Sequence, residues 1–403
     1  MASLGADVPS SSLTLERAAY WSMLAFVASL QVSIAAANIL LGLTALLWLA
    51  IVASDRGRIG VPTFFWPLLA YAGWTLVSAF FSIDPRTSFI DSKQLLLFAI
   101  VPMAYRLLRG DRSLTAVDVI ISVAALSAAV GIVQFGLLKW NDLEQRPKGS
   151  LGLYMTYSGQ LMLVTCLVVA RLLFWPRERV WPMLVLPALV VALVVTLSRN
   201  AWVGACAGVG LLLLFRDFRL LGLLPVAAAL FIALAPVTVT ERVTSMFAIE
   251  QGPGQISASV QSQQDRIAML RSGIRMIKDH PITGVGPDMI EKVYPVYRDA
   301  RAVNQLNPHL HNVPVQIAAE RGLPALAIWL SMLVVLVRDY FRQRRQASWT
   351  FLSNAGLACV AALVAAGMFE HNFGDSEFLM LFLLIATLPY AALLGPDASP
   401  MHD

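Results

Sequence analysis

Long apolar runs fill most of this 403-residue chain, and short polar connections separate them. As helices, most of these runs are long enough to cross a hydrocarbon core of about 30 Å. One polar stretch, Val237–Arg321, interrupts the pattern and is far longer than any other connection. The pattern predicts an all-α polytopic membrane protein that carries one large loop.

Twelve apolar runs are candidate transmembrane helices, and the ninth and tenth flank the long loop. The runs are Arg17–Ser33, Ala35–Ala53, Thr63–Phe81, Ser88–Leu107, Leu114–Leu138, Leu153–Phe174, Trp181–Leu197, Ala201–Phe215, Leu220–Val237, Leu323–Val337, Phe351–Phe369 and Phe378–Leu394. We therefore expect nine helices with short loops in residues 1–237, a helical loop in residues 238–322, and three helices with the C-terminus in residues 323–403.

Arginine is spread unevenly over the connections between these runs. The connections after even-numbered runs are rich in it, with Arg56, Arg58, Arg106, Arg109, Arg112, Arg171, Arg177, Arg179, Arg216, Arg219, Arg338, Arg342, Arg344 and Arg345. Short connections with many arginines stay in the cytoplasm. The rule predicts cytoplasmic termini and a long loop on the outer face, which in a bacterium is the periplasmic side of the inner membrane.

Composition agrees with this interpretation. The chain is 58% hydrophobic and only 14% charged, and its mean hydropathy is +0.68, whereas soluble domains are about a quarter charged. The net charge of +5 needs no nucleic-acid partner, because cytoplasmic arginines that face anionic headgroups account for it.

The long loop contains a candidate amphipathic helix, Ser262–His280, in which Ile267, Leu270, Ile274 and Ile277 recur at helical spacing. Such a helix fits either the outer leaflet or the mouth of the bundle. Arg266 is expected at its start, where a basic residue opposes the helix dipole unless an anion lies nearby. Either Asp265 or a bound phosphate would supply that anion.

Arg199 is expected in the tight outer turn between the seventh and eighth runs, where the positive-inside rule disfavours arginine. A guanidinium that snorkels to the interface is one explanation. Because no acidic residue is near it in the sequence, we favour a role as an anion ligand at headgroup depth.

His309 and His311 lie two residues apart between Pro308 and Pro314. A metal pair with Glu320 as third ligand is one interpretation of this spacing, and a hydrogen-bonded loop is another. His311 precedes Asn312 and the return to the membrane, so we favour His311 as a general base, with His309 as its alternative.

Other polar residues are weaker candidates. Glu320 is placed either to orient a histidine or to counter an arginine. Arg86 and Lys93, around the third outer connection, are possible anion ligands. The turn Glu370–Asp375 fits a pocket wall and a solvated turn equally well.

The order of these motifs resembles the O-antigen ligase and polymerase superfamily of bacterial envelope glycan enzymes. The segments that carry the resemblance are Ser198-Arg199, Asp265-Arg266, Pro281–Gly286, His311-Asn312 and Glu320-Arg321-Gly322. The resemblance covers most of the chain, and the single dominant outer loop is most similar to the ligase branch.

The resemblance implies a membrane-embedded, metal-independent glycosyltransferase of the inverting kind that needs no cofactor. Its donor would be O-antigen on undecaprenyl diphosphate, and its acceptor a sugar hydroxyl of lipid A–core, in lipopolysaccharide biosynthesis. By their match to the motif, Arg199 and Arg266 would bind the diphosphate and His311 would act as base. His309, Asn312, Glu320, Arg86 and Lys93 would be possible supporting residues.

Two alternatives remain at this stage. A polymerase of repeat units or a protein O-oligosaccharyltransferase would share the arginine and histidine motif. A transporter would place charged groups within its spans and show broken helices or an internal repeat, whereas here the polar residues cluster in the outer connections.

Overall fold

The structure is a computed structural model that describes residues 10–55, 59–142, 144–222, 239–240, 258–345 and 349–395. Every regular element in these ranges is helical. The α-helices are α1 (Ser10–Ser29), α2 (Ile34–Asp55), α3 (Phe65–Phe80), α4 (Pro85–Asp91), α5 (Ile100–Leu107), α6 (Arg112–Gly136), α7 (Tyr154–Phe174), α8 (Val180–Val195), α9 (Arg199–Arg216), α10 (Ala258–Asp279), α11 (Ile290–Tyr297), α12 (Val313–Gln343), α13 (Thr350–Gly367) and α14 (Ser376–Ala392). Short 3₁₀ segments occupy Ser92–Ala99, Phe218–Gly222 and Asn372–Gly374.

Five of these helices are long and apolar enough to cross a membrane: α2, α6, α7, α12 and α13. The helices α3, α8 and α14 are apolar but shorter. The all-α class is confirmed over the described ranges, whereas the count of twelve spans and the placement of the loop remain predictions. The expected ninth span, Leu220–Val237, lies almost entirely outside the described residues.

The expected fourth span, Ser88–Leu107, is not one continuous α-helix. It is divided into α4, the 3₁₀ segment Ser92–Ala99 and α5. Pro102 lies in the first turn of α5. A proline lacks the N–H that the carbonyl four residues earlier would accept and clashes with that carbonyl, which disfavours regular α-helix around Phe98.

The centre of the bundle is formed by α7, α9, α13 and α14. Glycines on α9 permit its close packing. A Cβ at Gly204 would lie 2.9 Å from the carbonyl oxygen of Ala362, and one at Gly208 would lie 2.8 Å from that of Ala358, both on α13. Small residues at helix contacts let backbones approach inside a membrane. Gly210 of the same helix meets nothing within 4 Å and has no such role.

The loop helix α10 packs on α12 through a face that contains Met269, Gly273 and Met276. Three residues of the predicted aliphatic stripe, Ile267, Leu270 and Ile274, are exposed on the other side. The fourth, Ile277, is half-buried and packs against the cluster that contains Met269 and Met276. The helix begins at Ala258, so Arg266 lies about two turns inside it. The expectation that Arg266 opens this helix is therefore wrong.

Three glycines with positive φ join the loop to α12: Gly284 (φ 68°), Gly286 (φ 110°) and Gly322 (φ 78°). We call them the glycine seam. A Cβ at Gly284 would lie 2.3 Å from the carbonyl oxygen of Glu320, and one at Gly322 would lie 1.9 Å from that of Ile282. Glycine adopts these angles without strain, and the contacts leave no room for a Cβ.

Hydrogen bonds hold the two sides of the glycine seam together. The N–H groups of Val285 and Gly286 donate to the carbonyls of Ala319 and Glu320, each at 2.9 Å. The N–H of Leu323 donates to the carbonyl of Pro281 at 2.8 Å. These bonds satisfy backbone groups that the break of α12 at Gly322 leaves without helical partners.

Candidate functional site

A cavity of about 340 Å³ lies where the loop meets the ends of the bundle helices. Its walls bring together Arg199, Arg266 and His311, which come from three distant parts of the chain. The complete lining is Arg146, Tyr154, Met155, Ser198, Arg199, Asn200, Asp265, Arg266, Met269, Val303, Asn304, Asn307, His311 and Glu370. We call it the arginine cavity.

Arg199 is the first residue of α9, and Ser198 in extended conformation precedes it. The positive charges of Arg266 and Arg146 act on Arg199 from across the cavity. Three guanidinium groups that face one space repel one another, and an anion between them would relieve that repulsion. In the described part of the chain, neither Arg199 nor Arg266 forms an ion pair with an acidic side chain.

Arg266 donates through Nη1 to the carbonyl of Phe369, at 2.8 Å. This bond ties α10 to the connection between α13 and α14. The neighbouring Asp265 does not serve as its counterion, because both carboxylate oxygens of Asp265 accept hydrogen bonds from Val303 and Asn304 at 2.7 to 3.1 Å. The anion expected near Arg266 is therefore not supplied by Asp265.

His311 forms a pair with Glu370. Its Nδ1 lies 2.8 Å from Glu370 Oε1, and the histidine side chain is 22% exposed while the glutamate is 10% exposed. Burial raises the pKa of Glu370, but the hydrogen bond and positive charge of His311 and the backbone N–H of His371 outweigh it, so the pKa lies below its usual value. When the imidazole is neutral, an ionised Glu370 favours the tautomer with the proton on Nδ1, which leaves Nε2 as the proton acceptor.

The backbone around His311 is fixed. His311 has a φ of 49°, in the left-handed region that non-glycine residues rarely adopt. The following residue, Asn312, caps α12: its Oδ1 accepts the N–H of Val315, and its Nδ2 donates to the carbonyl of Met368, each at 3.0 Å. The sequence left the role of Asn312 open, and the structure gives it this anchoring role.

Glu320 lies behind the glycine seam and does not line the arginine cavity. Its side chain forms an ion pair with Arg321 and accepts hydrogen bonds from Gln316 Nε2 at 2.8 Å and from the N–H of Asp288 at 3.2 Å. Of the two roles expected for Glu320, it therefore counters an arginine and does not orient His311.

The remaining candidates are less closely involved. Arg86 and Lys93 are exposed, and they line neither the arginine cavity nor a second cavity that adjoins it. His309 is exposed and packs against His371, with ring centroids 5.3 Å apart. His309 is absent from the wall of the arginine cavity and lines the second cavity that adjoins it, so His309 is the weaker candidate for the base.

Sequence reasoning missed Arg146 and left Glu370 open. Arg146 lies over the ring of Tyr154, 4.3 Å from its centroid, a cation–π contact that orients the guanidinium. The sequence offered one indication for Arg146, because the connection between the fifth and sixth apolar runs is predicted to lie on the outer face. No spacing rule indicates that Glu370 contacts His311, because the two are 59 residues apart.

No set of three or more His, Cys, Asp or Glu side chains within the described ranges could hold a metal ion. Metal independence of the reaction remains a prediction, because it depends on whether the arginines stabilise the diphosphate in place of a metal ion.

An apolar helical bundle that carries, at one end, a basic cavity and a histidine–carboxylate pair fits a membrane protein that handles a lipid-linked anion. Residues 182–330 match the family model described as O-Antigen ligase, which supports the resemblance to the O-antigen ligase/polymerase superfamily. The matched segment contains Arg199, Arg266 and His311 and excludes Arg146 and Glu370. A comparison with curated proteins finds no match.

Proposed function

We propose that the protein is an O-antigen ligase, which transfers O-antigen from undecaprenyl diphosphate to a sugar hydroxyl of lipid A–core at the periplasmic face. The observation that carries the proposal is the meeting of Arg199, Arg266 and His311 in one cavity. Guanidinium groups are suited to a diphosphate, and a histidine with a free Nε2 is suited to a hydroxyl.

The reaction is a single displacement. The acceptor oxygen attacks the anomeric carbon, and the bond from that carbon to the diphosphate oxygen breaks, which inverts the anomeric configuration. The electron pair of the broken bond stays on the leaving diphosphate. Arg199 and Arg266 stabilise this growing negative charge, which is the role that a metal ion plays in other phosphate chemistry.

The proton of the acceptor hydroxyl passes to Nε2 of His311 as the new bond forms. The imidazolium that results is stabilised by the carboxylate of Glu370 at 2.8 Å. General-base catalysis of this kind contributes about 10²- to 10⁴-fold in rate. The positioning of the base therefore depends on both ends of the bond between His311 and Glu370.

Purified protein in lipid vesicles tests the proposal, with undecaprenyl-diphosphate-linked glycan, lipid A–core and EDTA present. We expect the core to shift on a gel as glycan is attached, and Arg266→Ala to lose about 10²-fold or more of the rate. Growth of the lipid-linked glycan without transfer to the core would make the protein a polymerase. A glycan attached to a protein acceptor would make it an oligosaccharyltransferase, and loss of transfer in EDTA would contradict metal independence.

A further inference from the structure

A second cavity, of about 310 Å³, adjoins the arginine cavity. The two cavities share Tyr154, Met155, Asn200 and Glu370 in their walls. Glu370 is the side chain that holds His311, so the second cavity opens beside the proposed base. Its volume is in the range that accommodates small-molecule groups.

The second cavity differs from the first in charge. Neither arginine nor lysine is among its wall residues, which include two carboxylates, Glu370 and Asp375. Both carboxylates are already engaged: Glu370 with His311, and Asp375 with Thr156 Oγ1 and the N–H of Phe378. Burial lowers the pKa of the two histidines in the wall, His309 and His371, which favours their neutral forms. An anion would therefore be repelled by the carboxylates, and a cation would find no unengaged carboxylate, so the walls favour a neutral molecule.

Asn372 is the exceptional residue of this wall. It is 7% exposed, and its Oδ1 and Nδ2 are both buried without a hydrogen-bond partner in the described part of the protein. Burying an amide without partners costs stability, and such groups are normally satisfied in folded proteins. The nearby Asn312, by contrast, uses both of its side-chain atoms.

The chemistry of the unused groups indicates the ligand class. An asparagine side chain offers two N–H donors and an acceptor oxygen, which complements neighbouring hydroxyl groups that both donate and accept. His371, in the same wall, also has a buried Nδ1 without a partner in the described ranges. Phe378 and Met162 supply an apolar surface beside these polar groups.

We infer that the second cavity binds a neutral sugar ring and that Asn372 recognises its hydroxyl groups. The inference rests on the proposed function, in which two sugars meet at His311: the acceptor sugar and the first sugar of the donor glycan. Both sugars carry neighbouring hydroxyl groups that donate and accept hydrogen bonds. The arginine cavity takes the diphosphate of the donor, so the second cavity, on the other side of Glu370, is assigned to the acceptor sugar.

Asn372→Leu provides the test, because leucine has a similar volume and no polar atom. If Asn372 serves a ligand and not the fold, Asn372→Leu should unfold at the same temperature as the wild type or at a higher one, because an unsatisfied buried amide is removed. The same role predicts a KM for lipid A–core about tenfold higher, with the KM for the lipid-linked donor unchanged. Asn372→Ser, which keeps one hydroxyl, should fall between the two.

Asn354→Leu is the matched control. Asn354 of α13 also has both side-chain atoms buried without partners in the described ranges, but it lines neither cavity. Its replacement should preserve both KM values. A lower unfolding temperature for Asn372→Leu, or unchanged KM values for donor and acceptor, would overturn the inference, while a rise in the donor KM alone would assign the ring to the donor glycan.

A binding measurement separates this inference from the proposed function. Core oligosaccharide released from lipid A is added to the full-length protein, and the shift in unfolding temperature is followed. A shift in the wild type that is absent in Asn372→Leu supports the sugar site even if no transfer is found. Transfer by the wild type with equal shifts in both proteins would remove the sugar site and leave the ligase proposal standing.

Discussion

Arg199 and Arg266 of the arginine cavity differ in environment from Arg321, which lies next to Gly322 of the glycine seam. Arg321 is 9% exposed, forms an ion pair with Glu320, and lies 3.7 Å from Asp91. Arg199 and Arg266 face an open cavity without acidic ion-pair partners in the described residues. The difference separates an arginine that stabilises the fold from arginines whose charge is available to a ligand.

Both kinds of arginine occur in the one long loop, with Arg266 in the arginine cavity and Arg321 beside the glycine seam. The glycine seam fixes the loop to α12, and the cavity is built on the loop that is fixed in this way. Substitutions in the cavity should therefore change activity with little effect on stability, and substitutions in the seam should do the opposite.

The histidines provide the sharpest test within the outer region. His311→Ala should lower the transfer rate by about 10²- to 10⁴-fold, because the base is lost, whereas His309→Ala should retain most of the activity. Both variants should unfold at nearly the wild-type temperature. Initial rates at saturating donor and acceptor check this, and an inactive His309→Ala beside an active His311→Ala would exchange their roles.

Arg199→Ala tests the unpaired arginines. We expect a loss of about 10²- to 10³-fold in kcat, the size seen when one charge-stabilising contact is removed from a transition state, at unchanged unfolding temperature. Arg86→Ala is the control, because Arg86 is exposed and does not line the cavity, and this variant should behave like the wild type. Equal losses in the two variants would mean that outer positive charge acts in general and not through the cavity.

Arg321→Ala tests the paired arginine. Removing one partner of a buried ion pair leaves an uncompensated charge, which costs about 3–5 kcal/mol of stability. Denaturation followed in detergent should show this loss. Glu320→Gln combined with Arg321→Met should recover most of it, because the buried charge of Glu320 is also removed and only the more exposed Asp91 loses its partner. A stable but inactive Arg321→Ala would instead place this arginine in the catalytic machinery.

The smallest effect concerns pH. Burial and the charge of His309 hold the pKa of His371 well below its usual 6.5. The unfolded chain then binds more protons below pH 6.5, so stability should fall on acidification from pH 7 to 5, by at most about 1.4 kcal/mol per pH unit from this group. Unfolding temperatures measured across this range should show a shallower slope for His371→Gln. Identical slopes for the wild type and His371→Gln would contradict the lowered pKa of His371.

The sequence supported the helical class and most of the helix positions, because apolar runs and prolines mark them locally. It also pointed to Arg199, Arg266 and His311, which the fold brings into one cavity. The pair formed by His311 and Glu370 joins residues far apart in the chain, and no local pattern encodes such a contact. The division of the fourth run into three pieces was missed because hydropathy is insensitive to a change from α- to 3₁₀-helix.

The glycine seam has a consequence for exchanging parts between related proteins. Pro281 bonds to Leu323 and Gly284 lies against Glu320, so the intervening chain leaves and returns to one place and forms a closed module. The seam also has outside partners, since Ser78 Oγ donates to the carbonyls of Thr283 and Glu320 at 2.6 and 3.0 Å. A chimaera that transplants residues 281–323 together with Ser78 would keep every one of these contacts, whereas one with a junction inside the module would separate them.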